Sequence, residues 1–149
     1  MNKMKAITCV ATSDLKVTLP DPEGRNIVLY FYPKDATPGC TTEGQEFRDN
    51  HSAFTDANTV IYGVSKDDMK AHEKFKAKQA FPFELISDTE GELCEAFGVW
   101  QLKKFMGREY MGIVRSTFII DAQGNILKSW DKVKVKGHVD EVLEAVKAL

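Results

Sequence analysis

The stretch Ile27-Val28-Leu29-Tyr30-Phe31-Tyr32-Pro33-Lys34-Asp35-Ala36-Thr37-Pro38-Gly39-Cys40-Thr41-Thr42-Glu43 passes from a continuous apolar run through turn chemistry into a helix start. Its first six residues are apolar, β-branched or aromatic without a break, as in a strand covered on both faces. Pro33 ends the strand. Thr37 followed by Pro38 has the form of an N-cap residue with proline at the first helical position. Cys40 then falls in the first helical turn, where unpaired N–H groups and the positive end of the helix dipole favour an anion.

Outward from this stretch the same alternation of elements continues. Thr59–Ser65 is a second buried strand pattern and Ser116–Asp121 a third. Ala122-Gln123-Gly124-Asn125 supplies turn residues before Ile126–Trp130 resumes an extended pattern, so this pair reads as a β-hairpin. Helical patterns fill the gaps. Thr41–Asn50 is charged and free of proline, and Ser65-Lys66-Asp67-Asp68 opens a segment to about Ala80 with Ser65 as N-cap. Asp88–Glu92 precedes a short helix carrying Leu93, Ala96 and Phe97. At the C-terminus Val139, Val142, Leu143, Val146 and Leu149 form one apolar stripe. Strands and helices in this order make an α/β protein with helices packed on a sheet.

The chain has 149 residues, inside the range of about 100–200 expected of one domain, so residues 1–149 are read as a single unit. A net charge of −2 gives no electrostatic ground for a nucleic acid or an anionic membrane as partner. No apolar run approaches the roughly 18–20 residues of a membrane span, and the basic start is broken by Thr8 and Thr12-Ser13-Asp14, a poor signal peptide. Three cysteines are odd in number and too few for a disulfide scaffold. A soluble, cytoplasmic protein is expected, and with no arm beyond the last helix, a monomer.

Cysteine chemistry is thiolate chemistry, and a free thiol with a pKa near ~8.5 is mostly protonated at neutral pH. A helix N-terminus and a nearby cation favour the thiolate. Thr37, one turn before Cys40, can aim its hydroxyl at the same place. The plainer alternative is a small buried core cysteine.

Pro33-x-x-x-Thr37-x-x-Cys40 resembles the peroxidatic-cysteine motif of the peroxiredoxins. The longer string Tyr30–Thr41 is similar to the bacterioferritin comigratory protein (peroxiredoxin Q) branch. So are Leu19-Pro20-Asp21, Phe47-Arg48-Asp49, Leu85-Ile86-Ser87-Asp88, Phe97-Gly98-Val99-Trp100, Phe105–Tyr110 and Arg115–Asp121. The resemblance implies a thioredoxin-like fold with a central mixed β-sheet flanked by helices. It implies reduction of hydrogen peroxide and organic hydroperoxides through a sulfenic acid at Cys40, with no metal or other cofactor. Cys40, Thr37, Arg115 and Pro33 are the implied catalytic set, with Arg115 holding the thiolate and the charge that develops on the O–O bond. Glu43, one turn after Cys40, either orients that arginine or is a surface glutamate. The runner-up reading is a peroxide-responsive redox sensor or holdase using the same thiol.

The chain departs from the branch at one position. Many members carry a second cysteine five residues after the first, where this chain has Gln45. Cys9 and Cys94 have patterns of packing residues, and a disulfide needs Cα atoms within roughly 7 Å. The reading is therefore a one-cysteine cycle recycled by an external thiol, thioredoxin or glutaredoxin with glutathione; an internal disulfide with Cys94 or Cys9 is the alternative. His51, His72 and His138 read as surface residues without metal-ligand spacing to a cysteine. Lys103–Arg108 reads as a solvated loop near the site, and Phe81, Phe83 and Trp100 as either a pocket rim or core.

Overall fold

The computed structural model describes residues 3–149. The buried run becomes β3 (Asn26–Phe31), the strand on which the rest is assembled. β4 (Thr59–Ser65) pairs with it in parallel, Val28 opposite Ile61 and Phe31 opposite Val64. On its other side β8 (Ser116–Ile120) pairs antiparallel, with Ser116 opposite Phe31. β5 (Glu84–Ser87) lies parallel beyond β4, β9 (Ile126–Trp130) closes the expected hairpin with β8, and an N-terminal hairpin of β1 (Ile7–Ala11) and β2 (Leu15–Leu19) borders β5. The order β2-β1-β5-β4-β3-β8-β9 makes one mixed sheet, the thioredoxin-like arrangement expected.

Strand alternation divides the interior into two cores. Val28, Tyr30 and, just past the strand, Tyr32 face one side, under α1 (Pro38–Asp49), α2 (His51–Asp56), α3 (Met69–Gln79) and α5 (His138–Lys147). Ile27, Leu29 and Phe31 face the other, with α4 (Glu92–Ala96) and the base of a hairpin formed by β6 (Trp100–Phe105) and β7 (Arg108–Ile113). Cys40 belongs to the first core and Cys94 to the second. No helix among the described residues is long and apolar enough to cross a membrane.

Several local expectations need correction. Ser65 ends β4 instead of capping α3, because its hydroxyl donates to Asp67; the cap is Asp68, which accepts from the Ala71 N–H. Leu149 lies past the end of α5 and is exposed, so the buried stripe stops at Val146. Lys103–Arg108 is not an open loop. It spans the tip of the β6–β7 hairpin, whose turn places Met106 and Gly107 at positive φ. Both faces of that tip are exposed, so no alternation of apolar and polar residues marks it.

α1 packs against the core through Gly44 and Phe47. A Cβ at Gly44 would meet the Phe81 ring, with Cε1 at 2.9 Å, and Phe81 is itself held by stacking on Phe83 at 5.0 Å between centroids. Alanine normally favours a helix over glycine by about 1 kcal/mol. Here the overlap should outweigh that, so Gly44→Ala is expected to cost about 1–3 kcal/mol of stability. Denaturant unfolding checks this, with Phe81→Leu in the same chain recovering part of the loss.

Candidate active site

Cys40 sits in the first turn of α1 and is only 2% exposed. Thr37 occupies the N-cap position with extended backbone, and its carbonyl accepts from the Thr41 N–H at 2.9 Å. Its side chain does not cap the helix. The hydroxyl donates instead to the Lys34 carbonyl at 2.8 Å, back across the loop. With that proton committed, the Thr37 oxygen is left as an acceptor. Pro33 is exposed just past the end of β3, and its missing N–H suits a position where the ladder stops.

Arg115 arrives from far along the chain. β8 runs antiparallel to β3 with Ser116 opposite Phe31, so the residue before β8 lies beside the loop that follows β3. Its NH2 donates to Cys40 Sγ at 3.3 Å and its NH1 to Glu43 Oε1 at 2.7 Å. Gly39 leaves room for this approach, since a Cβ there would stand 3.2 Å from NH2. Cys40 and Glu43 are three residues apart on α1 and share one helix face, which lets a single planar fork reach both. Glu43 is fully buried. Its carboxyl accepts from Arg115, and burial rules out the surface alternative for this residue.

Burial pushes the Glu43 carboxyl up to about 7, although the Arg115 charge and hydrogen bond pull it down. For Arg115 burial works against the charge, but Glu43 and Cys40 outweigh it and hold the guanidinium above its ordinary value. Two buried polar atoms among the described residues lack hydrogen-bond partners, Glu43 Oε2 and the Tyr30 hydroxyl. Burial, reinforced by the charges of Glu43 and Cys40, keeps Tyr30 well above the usual phenol range, so it stays neutral.

The other two thiols are elsewhere. Cys94 is buried in the opposite core, and Cys9 on β1 packs against that same core. Burial first, then the charges of Asp88 and Glu92, push Cys9 up to about 11; burial and Asp88 push Cys94 well above the usual thiol range. Gln45 donates to Gln79 Oε1 at 2.9 Å and ties α1 to α3.

The histidines correct the sequence reading. His72 is fully buried on α3, with Nδ1 2.6 Å from Asp35 Oδ2 and Nε2 2.9 Å from the Ile86 carbonyl. His138 is buried against Thr117 Oγ1 at 2.8 Å, and burial lowers its pKa. A signal for His72 was present, since it precedes Phe75 by three residues on the buried face of α3. Donor atoms of Asp35, Asp67 and His72 lie within 4.8 Å of one another, yet those of Asp35 and His72 are already engaged in hydrogen bonds. Phe81 and Phe83 are buried core residues, while Trp100 lies under Lys66 Nζ at 4.0 Å. A groove of about 440 Å³ does open beside the helix start, lined by Pro38, Gly39, Thr42 and Glu46 on α1 and by Val135 and Gly137 across from it. A larger cavity, about 690 Å³, includes Leu93, Phe97 and Phe118 and belongs to the side away from Cys40.

A mixed sheet of this topology, with a cysteine at a helix start bridged by arginine to a buried carboxylate, defines a thiol oxidoreductase of thioredoxin-like architecture. The AhpC/TSA family model matches residues 2–129. Peroxiredoxin Bcp of Bacillus subtilis (strain 168) is 57% identical over 131 residues, covering 88% of this chain and 83% of that protein. The structure of Xanthomonas campestris Peroxiredoxin Q superposes with a TM-score of 0.90 at 45% identity, over 95% of this chain and 90% of that one. A structure of Xanthomonas campestris bacterioferritin comigratory protein, described for its alkyl peroxide reduction activity, gives 0.91 at 41% identity over 99% and 98%. The chain belongs to the AhpC/TSA family, in its peroxiredoxin Q (bacterioferritin comigratory protein) group. As a peroxiredoxin it is a thiol peroxidase, an oxidoreductase.

The raised Glu43 pKa fixes the sign of a pH effect. The folded state holds that proton more tightly than the unfolded chain, so the stabilisation is complete below about 4 and is lost as pH rises to about 7. Relative to Glu43→Gln, the wild type should lose up to a few kcal/mol across this window and change little above it. Denaturant midpoints at a series of pH values check this; parallel curves would show that burial imposes no such penalty.

Proposed function

We propose that Cys40 is the peroxidatic nucleophile, reducing hydrogen peroxide and organic hydroperoxides, and that its oxidised form is recycled by an external thiol. The observation that carries this is the Arg115 contact, a guanidinium N–H donating to Cys40 Sγ at 3.3 Å in the first turn of α1. The Cys40 thiolate attacks the distal peroxide oxygen. An S–O bond forms and the O–O bond breaks, so sulfur is oxidised to the sulfenic acid while the peroxide is reduced. The leaving hydroxide or alkoxide takes up a proton and departs as water or alcohol.

Each neighbour has a part in that step. Arg115 carries positive charge where negative charge grows on the breaking bond. Thr37 Oγ1, its own proton committed to Lys34, accepts from the peroxide O–H and orients it. Pro33 and Pro38 fix the two ends of the loop between strand and helix. The apolar walls of the groove at Pro38, Thr42 and Val135 suit the carbon portion of an organic hydroperoxide.

Recycling by an external thiol is supported by where the other cysteines are. Cys9 and Cys94 pack on the far core, with the sheet between them and Cys40, and both thiols are held protonated. A thiol such as thioredoxin, or glutaredoxin with glutathione, condenses with the sulfenic acid and expels water. A second thiol then releases Cys40 and leaves as the disulfide. Cys40→Ser should abolish peroxide consumption, whereas a variant with both Cys9→Ala and Cys94→Ala should retain it within about twofold, as expected of substitutions outside the reacting unit. Mass spectrometry of peroxide-treated wild type should show one oxidised thiol at Cys40, trapped by dimedone. An internal disulfide as the main product would overturn the one-cysteine cycle.

A further inference from the structure

The loop between β3 and α1 is held from outside by side chains that never meet the sulfur. Asp35, in the middle of that loop and buried, is the centre of the arrangement. Its Oδ1 accepts from the Tyr32 hydroxyl at 2.6 Å, its Oδ2 lies 2.6 Å from His72 Nδ1, and its backbone N–H donates to Asp67 Oδ2 at 2.9 Å. Asp67 is fixed in turn by the Ser65 hydroxyl. The next residue, Ala36, is left-handed at φ 62°, a conformation uncommon for a residue with a side chain.

Proton counting on His72 defines the central contact. A carbonyl can only accept, so Nε2 carries a proton and donates it to Ile86. The 2.6 Å separation from Asp35 then requires one proton between Nδ1 and Oδ2. Asp35 accepts from Tyr32 on its other oxygen, so one proton is shared between imidazole and carboxyl and every one of these polar atoms is partnered. His72 thus joins α3, the end of β5 and the loop preceding Cys40.

Building on the peroxidase reading, we infer that His72 is a positioning residue for Cys40: through Asp35 it holds the Asp35–Thr37 segment in the shape that presents the helix start, Thr37 and Sγ to the peroxide. Cys40 is five residues from Asp35, and only Thr37 separates the left-handed Ala36 from the first helical turn. Removing the latch lets Ala36 relax. The Thr37 oxygen then loses its placement and the buried sulfur becomes reachable by larger reagents.

Two substitutions at one position separate positioning from simple damage. The Asn side-chain nitrogen stands near the place of Nδ1 and can still donate to Asp35, whereas that of Gln stands near Nε2 and can serve only Ile86. His72→Gln should slow oxidation of Cys40 by hydrogen peroxide about tenfold to a hundredfold, in line with a misplacement of an ångström or so. His72→Asn should stay within about threefold, a loss of the size expected when the contact is kept in altered geometry. Alkylation of Cys40 by iodoacetamide, mapped by mass spectrometry, should change in the opposite sense and run faster in His72→Gln.

Asp67→Ala, at a less buried tether, should shift both rates the same way by less, and it serves if His72→Gln does not fold. The inference is overturned if folded His72→Gln matches wild type in both rates, if His72→Asn is as slow as His72→Gln, or if alkylation slows together with oxidation. When His72→Gln cannot be tested, unchanged rates in Asp67→Ala overturn it as well. A wild type inert to peroxide would defeat the peroxidase reading, and the alkylation comparison would still decide the role of His72.

Discussion

One guanidinium shared by two acids is the interaction on which the site depends. Arg115 donates through NH2 to the Cys40 sulfur and through NH1 to Glu43, and both acceptors are buried. A point charge such as lysine could neutralise either group; a planar fork can hold both at fixed separation. Because the two acids compete for one cation, the proton that burial keeps on Glu43 up to about 7 leaves more of the guanidinium's charge to the sulfur.

The frame exists to bring those three groups together at a cost the core can bear. β3 and β8 pair so that Arg115 emerges beside the loop after β3, while α1 sets Cys40 and Glu43 one turn apart. Burying an arginine and a carboxyl is expensive unless each is partnered. The two unpartnered buried atoms, Glu43 Oε2 and the Tyr30 hydroxyl, both belong to this neighbourhood. Such concentration of unsatisfied groups is expected where function, not packing, dictates the residue. The aromatic run Tyr30, Phe47, Phe83 and Phe81 beneath α1 supplies the apolar burial that offsets it.

Much of this was readable from the residues, and the exceptions have physical causes. β3, β4 and β8 announce themselves because strands covered on both faces are uninterrupted apolar runs. Thr37-Pro38 located the helix start, and with it Cys40. The orientation of the Thr37 hydroxyl was not readable, because its partner is a loop carbonyl that no side-chain pattern encodes. Glu43 and His72 share a different difficulty: a charged residue on a helix reads as solvated unless its partner is known, and Arg115 and Asp35 lie 72 and 37 residues away. The β6–β7 tip, exposed on both faces, leaves no periodicity to find.

The most direct test of the account is the single-turnover rate of Cys40 oxidation by hydrogen peroxide, measured in stopped flow for wild type and Arg115→Met with folding verified. Loss of a donor that stabilises developing charge should slow the step at least about a hundredfold. Equal rates in the two proteins would contradict a mechanism built on the Arg115–Cys40 contact.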